Sequence, residues 1–207
     1  MKGRLLLGLV AIILLATACT TTRNGTATPS PTGLTTPSSG NTAPQLPGAG
    51  VPDVANPIDT ARFQQQPCTT LTDDQVTGLL GPDTQPKRED IGNFGVGCSW
   101  HPTSVTQAAV SVIYATKNQR GLTAIYEQKG TTFPLFIPMD PIGGYPTVAY
   151  GQADRRSTGS CAIALGTSNQ EIVDVSVSLS EGNVGKKDPC AAAHDVTATV
   201  LNNLRTG

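Results

Sequence analysis

The chain has 207 residues, with 14 Lys and Arg against 15 Asp and Glu and a formal charge of −1; charged residues make up 14%. That length suits one ordinary domain with additions, since a domain takes about 100–200 residues. A chain with no basic surplus and no long single-sign run has little to set against a row of phosphates, so nucleic acid is excluded as an expected partner.

Residues 1–18 read as an export signal. Lys2 and Arg4 precede an apolar stretch from Leu5 to Leu15. Such a stretch is shorter than the ~20 residues of a membrane-spanning helix and matches the apolar core of a secretory signal. The small-residue run Ala16-Thr17-Ala18 then leads into Cys19. Leu15-Ala16-Thr17-Ala18-Cys19 resembles a bacterial lipobox, which implies that Cys19 is acylated and becomes the mature N-terminus. More than one acyl chain gives stable membrane attachment rather than the reversible binding of a single chain. Loss of Lys2 and Arg4 with the signal takes the formal charge from −1 to −3.

Residues 19–61 are expected to be the lipidated cysteine and a disordered tether. Thr, Ser, Pro, Gly, Asn and Ala dominate, and apolar side chains larger than Ala are few: Leu34, Leu46, Val51, Val54 and Ile58. Such a segment buries too little surface to offset its ordering entropy. Its reach is on the order of 35 Å, enough to space a domain away from a membrane.

Residues 62–207 are expected to form one folded domain. Leu71-Thr72-Asp73-Asp74-Gln75-Val76 places Thr72 as N-cap with Gln75 three residues on, a capping box with Leu71 and Val76 as its hydrophobic staple. Val76, Leu79 and Leu80 form the expected buried face of this helix, and Gly81-Pro82 stops it. Cys98 to His101 and the alternating Val110, Val112 and Tyr114 predict two strands, followed by a helix around Leu122, Ile125 and Tyr126 that ends at Gly130. Thr147 to Tyr150 is a shorter strand. Cys161, Ile163 and Leu165 alternate, as do Val173, Val175, Val177 and Leu179, with Thr167-Ser168-Asn169 as the turn between. The intervening Asp174, Ser176 and Ser178 predict a sheet face left wet. At the end, Asp188 caps a helix with Pro189 at its first position, and Cys190, Ala193, Val196, Val200 and Leu204 share one face. The fold class is α+β: one antiparallel sheet with helices on one face.

Few residues suggest catalysis. His101 closes a strand and His194 lies on the last helix, where Asp195 points about 100° away from it. Ser160 opens a strand rather than a strand-to-helix elbow. Gly92, Gly95 and Gly97 precede a strand, not a helix N-terminus, so a phosphate loop fails its context and reads instead as a flexible loop entering the strand. No cysteine pair or clustered His has metal-ligand spacing, so neither metal nor cofactor is expected. The one segment with a functional reading is Phe133-Pro134-Leu135-Phe136-Ile137-Pro138-Met139, apolar and without periodicity. As an exposed loop, with Tyr145 and Tyr126 nearby, it would offer an apolar patch to a lipid or peptide; the alternative is a loop folded over the sheet end.

Cys68, Cys98, Cys161 and Cys190 remain after Cys19. An even number in an exported domain reads as two disulfides with three connectivities. Cys68–Cys98 and Cys161–Cys190 are favoured, each closing a loop of about 30 residues, with crossed pairing as the competitor.

Pro67-Cys68, Leu71-Thr72, Cys98-Ser99-Trp100, Gly144-Tyr145-Pro146-Thr147-Val148, Cys161 and Asp188-Pro189-Cys190, taken with the lipobox and tether, resemble an actinobacterial lipoprotein family known only as a domain of unknown function. A looser similarity is to the extracellular sensor domains of mycobacterial membrane kinases. The resemblance implies location and fold and carries no activity. The expected function is a non-enzymatic binding or sensing module of the cell envelope, held on the outer side of the membrane through Cys19. The alternatives are a carrier of an apolar small molecule or lipid and, third, an envelope hydrolase.

Overall fold

The computed structural model describes residues 45–104 and 106–207; the expected export signal, Cys19 and most of the expected tether lie outside them. The described chain opens with α1 (Ala61–Gln65) and a 3-10 turn (Pro67–Thr69), then α2 (Asp73–Leu80). Three strands follow, β1 (Thr84–Ile91), β2 (Gly95–Pro102) and β3 (Ala109–Tyr114), then the short α3 (Thr123–Tyr126). Four more strands, β4 (Leu135–Ile142), β5 (Tyr145–Gly151), β6 (Ser160–Gly166) and β7 (Ile172–Ser178), precede α4 (Pro189–Thr206). All seven strands join one antiparallel sheet in the order β1-β2-β3-β7-β6-β5-β4.

Helix chemistry acts as the local sequence dictates. Gln75 N–H donates to Thr72 Oγ1 (3.2 Å) and Thr72 N–H donates to Gln75 Oε1 (2.9 Å), the reciprocal pair of a capping box. Asp188 accepts from the N–H groups of Cys190 and Ala191 at the start of α4. Cys190, Ala193, Val196, Val200 and Leu204 of α4, which packs over β6 and β7, share one core with Phe63, Leu71, Val76 and Leu80. Leu79 departs from the expected apolar face and is 41% exposed, because α2 is only two turns long and meets the sheet along the Val76–Leu80 line.

The sulfurs pair as Cys68–Cys98 and Cys161–Cys190. One bridge ties the turn before α2 to β2; the other ties β6 to α4.

Two strands escaped the sequence reading, β1 and β4, and they are the two edges. An edge strand needs no apolar alternation, and proline or charge there discourages pairing with another chain. β1 runs Thr-Gln-Pro-Lys-Arg-Glu-Asp-Ile, largely exposed; β4 carries Pro138 and Pro141. The segment expected as an irregular apolar loop is therefore mostly strand. Gly95 and Gly97 likewise lie inside β2 rather than in a flexible loop: a β-carbon at either would strike the backbone of β3.

The wet face is a second correction. β3 lies third from one edge of the sheet, with β7, β6 and β5 between it and β4 at the other edge, so the connection between them must cross one face. It does so opposite α1, α2 and α4. Ala115, Leu122 and Ile125 from this crossover pack on Val148, Ala164 and Ile172, forming a smaller second core. Thus α1, α2 and α4 share one face, while α3 lies on the other.

The domain also begins earlier than residue 62. Gly48 N–H donates to Thr123 Oγ1 (3.0 Å), Val54 N–H to Asn169 Oδ1 (2.9 Å) and Ile58 N–H to Thr167 O (2.9 Å). Val54 is buried and Val51 packs on the second core, so residues 48–60 form a strap rather than the end of a tether. Gly166 makes room for it; a β-carbon there would press on Leu122, Pro146 and Val54 at 3.1–3.2 Å.

Candidate functional site

Strand alternation and register assign the crossover face residue by residue. One row across the sheet runs Lys87, Ser99, Ser111, Ser176, Ala162, Tyr150 and Phe136. The neighbouring row, nearer the crossover, runs Glu89, Gly97, Ile113, Asp174, Ala164, Val148 and Pro138. On the other side lie Ser178 and Ser160, which face each other and share a 2.9 Å hydroxyl hydrogen bond. The crossover and strap cover the Val148–Ala164 part of this face. The serine part keeps small hydroxyl groups, and among the described residues no α-helix lies above it.

A depression of about 340 Å³ lies over β6 and β7 in this uncovered part. Ser160, Ala162, Ser176 and Ser178 line its floor; Tyr150, Leu135, Gly151 to Ala153 and Arg155 line its wall. Arg155 makes no ion pair among the described residues, whereas Arg156 next to it pairs with Asp154 at 2.6 Å.

Asp174 belongs to the next row in and is 6% exposed, although alternation alone placed it on a wet face. Tyr150 reaches it across β6, where Ala162 and Ala164 are short enough to leave space for the ring. The Tyr150 hydroxyl donates to Asp174 Oδ2 at 2.6 Å, and Phe133 packs edge-on against the Tyr150 ring. Burial pushes the Asp174 carboxyl up to about 6, and the Tyr150 hydrogen bond offsets only part of that rise. Burial also raises the Tyr150 phenol, and the neighbouring carboxylate raises it further. At the far edge, Ser99 Oγ donates to Glu89 Oε1 (2.7 Å), and that bond, with Lys87, lowers the Glu89 carboxyl.

The residues of the expected apolar loop are divided by this geometry. Phe136 stacks edge-on with Tyr126 and lies under Lys129, on the crossover face. Leu135 is buried, while Ile137 and Met139 turn to the opposite face and pack on the main core beside α4. Tyr145 donates to Asn56 O (2.8 Å) and so holds the strap. Phe133, Leu135, Phe136, Ile137, Met139 and Tyr145 therefore do not make one exposed patch. The two histidines lie apart: His101 is in β2, whereas a ring nitrogen of His194 on α4 meets Asp140 O at 2.9 Å. Among the described residues no group of three or more His, Cys, Asp or Glu is placed to hold a metal ion, and no helix is long and apolar enough to cross a membrane.

Asp174 and Tyr150 are the residues of this face that sequence reasoning missed. An acidic residue in an otherwise Val-rich strand is the signal, but only the crossover makes its position a buried one.

The family model described as "Protein of unknown function (DUF3558)" matches residues 14–203 of the chain. No curated protein and no solved structure matches it significantly.

Proposed function

We propose that this chain, which belongs to the DUF3558 family of proteins of unknown function, is a non-enzymatic binding module tethered to the outer side of a cell membrane through an acylated Cys19. The observation that carries the binding role is the half-covered sheet face. A crossover and a strap seal one part of it, and beside them Ser160, Ser176 and Ser178 line a depression, with Ser111 next to Ser176 in the same row and no described segment packed above. Two disulfides and an antiparallel sheet hold that surface rigid, so binding there costs little ordering entropy. The tether and its lipid supply location, and the sheet face supplies recognition.

A carrier role has one observation in its favour. A groove of about 290 Å³ runs between α2 and α4; Leu79, Leu80, Val110, Leu179 and Val196 give it an apolar floor, and Lys187 and Asp195 lie at its rim.

One experiment addresses both readings. A photo-cross-linking residue is placed in cells at Ser111, at Leu79 or, as a control, at the exposed Asn202 of α4, each in chains with Cys19 or Cys19→Ser. The binding module predicts adducts from position 111 and none from 202, and release of the Cys19→Ser chain from membranes. Adducts from position 79 alone, with lipid mass, favour the carrier. Membrane retention of the Cys19→Ser chain overturns the anchor.

A further inference from the structure

The sheet and the crossover between β3 and β4 enclose a carboxyl group and bring no cation to it. Asp174 is buried on β7, and its Oδ2 accepts from the Tyr150 hydroxyl at 2.6 Å. Among the described residues it takes part in no ion pair. β3 presents Ile113 opposite it, β6 presents Ala164 opposite it, and Ile172 precedes it on the same face of β7. β5 brings Tyr150, the one titratable group in contact with it among the described residues, and the crossover brings Phe133 edge-on to the Tyr150 ring. The titratable side chains of the crossover are engaged elsewhere or exposed: Arg120 pairs with Glu127, Tyr126 stacks with Phe136, Lys129 lies over the Phe136 ring, and Lys117 is exposed. Asp53 of the strap accepts from Asn169, and Lys87 and Glu89 pair with each other on β1, three strands away.

We infer that the Tyr150–Asp174 pair is a pH-operated latch on the crossover: it holds the crossover closed while the carboxyl is protonated and lets it open once the carboxyl is ionised. An uncharged carboxyl tolerates enclosure with one hydrogen bond. A carboxylate needs water or a cation, and opening the crossover supplies water. The crossover is the part that yields, because local opening costs least where buried apolar contacts are few. Its helix, α3, is one turn long and the core beneath it is the smaller of the two, whereas α4 and both disulfides brace the opposite face. Burial pushes the carboxyl of the closed state up to about 6, against about 3.9 where water reaches it. The closed state is therefore favoured in full below about pH 4, loses ground as pH rises through about 6, and is level above that. The Tyr150 hydroxyl opposes the rise, since a donor favours the ionised form. Tyr150 is thus a positioning residue that sets the pH at which the latch releases. It also lines the wall of the depression over β6 and β7, so release moves that wall.

The test is hydrogen exchange of the full chain, extracted in detergent, from pH 4 to pH 8, with rates corrected for the intrinsic pH dependence of amide exchange. The amides read are those of Ile125 and Tyr126, which donate to Leu122 O, and of Phe133, which donates to Gln128 O. Their opening should increase about fiftyfold between pH 4 and pH 8 and level off near pH 7, the fold-change set by the two carboxyl values. At every pH it should exceed the opening of the buried α4 amides, which report global unfolding. In Asp174→Asn the crossover amides should open alike across the range. Tyr150→Phe keeps the ring against Phe133 and removes the donor, so its rise should continue to a higher pH than in the wild type. Should Asp174→Asn fail to fold, that displacement carries the test. Equal opening at pH 4 and pH 8 in the wild type overturns the latch, as does a rise that persists in Asp174→Asn or ends at the same pH in Tyr150→Phe. Crossover amides that exchange no faster than those of α4 overturn it as well.

Discussion

Asp174 shows how one side chain carries the cost of a fold. Its carboxyl sits under the second core with a single donor, Tyr150, and burial raises it to about 6 against about 3.9 in an unfolded chain. A raised carboxyl favours the folded state only while protonated. The benefit is complete below about pH 4 and is lost as pH rises through about 6, after which stability is level. Asp174→Asn keeps the shape and removes the charge. Urea unfolding should give similar stability for the two proteins at pH 4 and an advantage of about 2–3 kcal/mol for the variant at pH 7.5. A variant no more stable than wild type at pH 7.5 would show that the carboxyl is not held in a desolvated site. At this scale the sequence was legible where one residue type has one local role: Thr72 and Asp188 as caps, and the cysteines as two bridges. It was not legible for Asp174, because burial is a property of what passes overhead.

The strap is the element that local composition hides. Residues 48–60 are rich in small residues and proline, yet they end in side chains and N–H groups that the β6–β7 turn and α3 receive. Asn169 in that turn serves it twice, accepting from Val54 N–H and donating to Asp53 (2.7 Å). Asn169→Ala removes both bonds and should cost about 1–2 kcal/mol of local stability. Hydrogen exchange would read this as roughly tenfold faster exchange at the Val54 N–H, with the α4 amides unchanged. Exchange at wild-type rates would mean that apolar packing by Val51 and Val54 holds the strap without the turn. The edge strands teach a related lesson. β1 and β4 carry the prolines and charges that keep sheet edges from pairing, so they lack the alternation by which interior strands are found.

Across the whole molecule, the two bridges brace different parts of one sheet, at β2 and at β6. Replacing Cys161 and Cys190 together by Ser frees a loop of 29 residues, which the chain-entropy model values at about 3.5 kcal/mol. Thermal unfolding should show a lower midpoint with a single transition retained; two separate transitions would mean that the sheet halves unfold independently. Spacing favoured this pairing over the crossed one, because each bridge joins elements close in sequence, and the α+β class was readable too, since helix caps and alternating valines are local signals. Membership of the family, and the resemblance of the N-terminal residues to an export signal and lipobox, are likewise read from sequence without any fold. The route from β3 across the sheet to β4 was not local, and it decided the rest. It buried Asp174, gave Phe133 and Phe136 a core to fill, received the strap, and left Ser160, Ser176 and Ser178 uncovered among the described residues. Local residue patterns determine which segments become helix or strand; which sheet face is covered depends on where a distant connection must pass, and that is settled only when all the strands have paired.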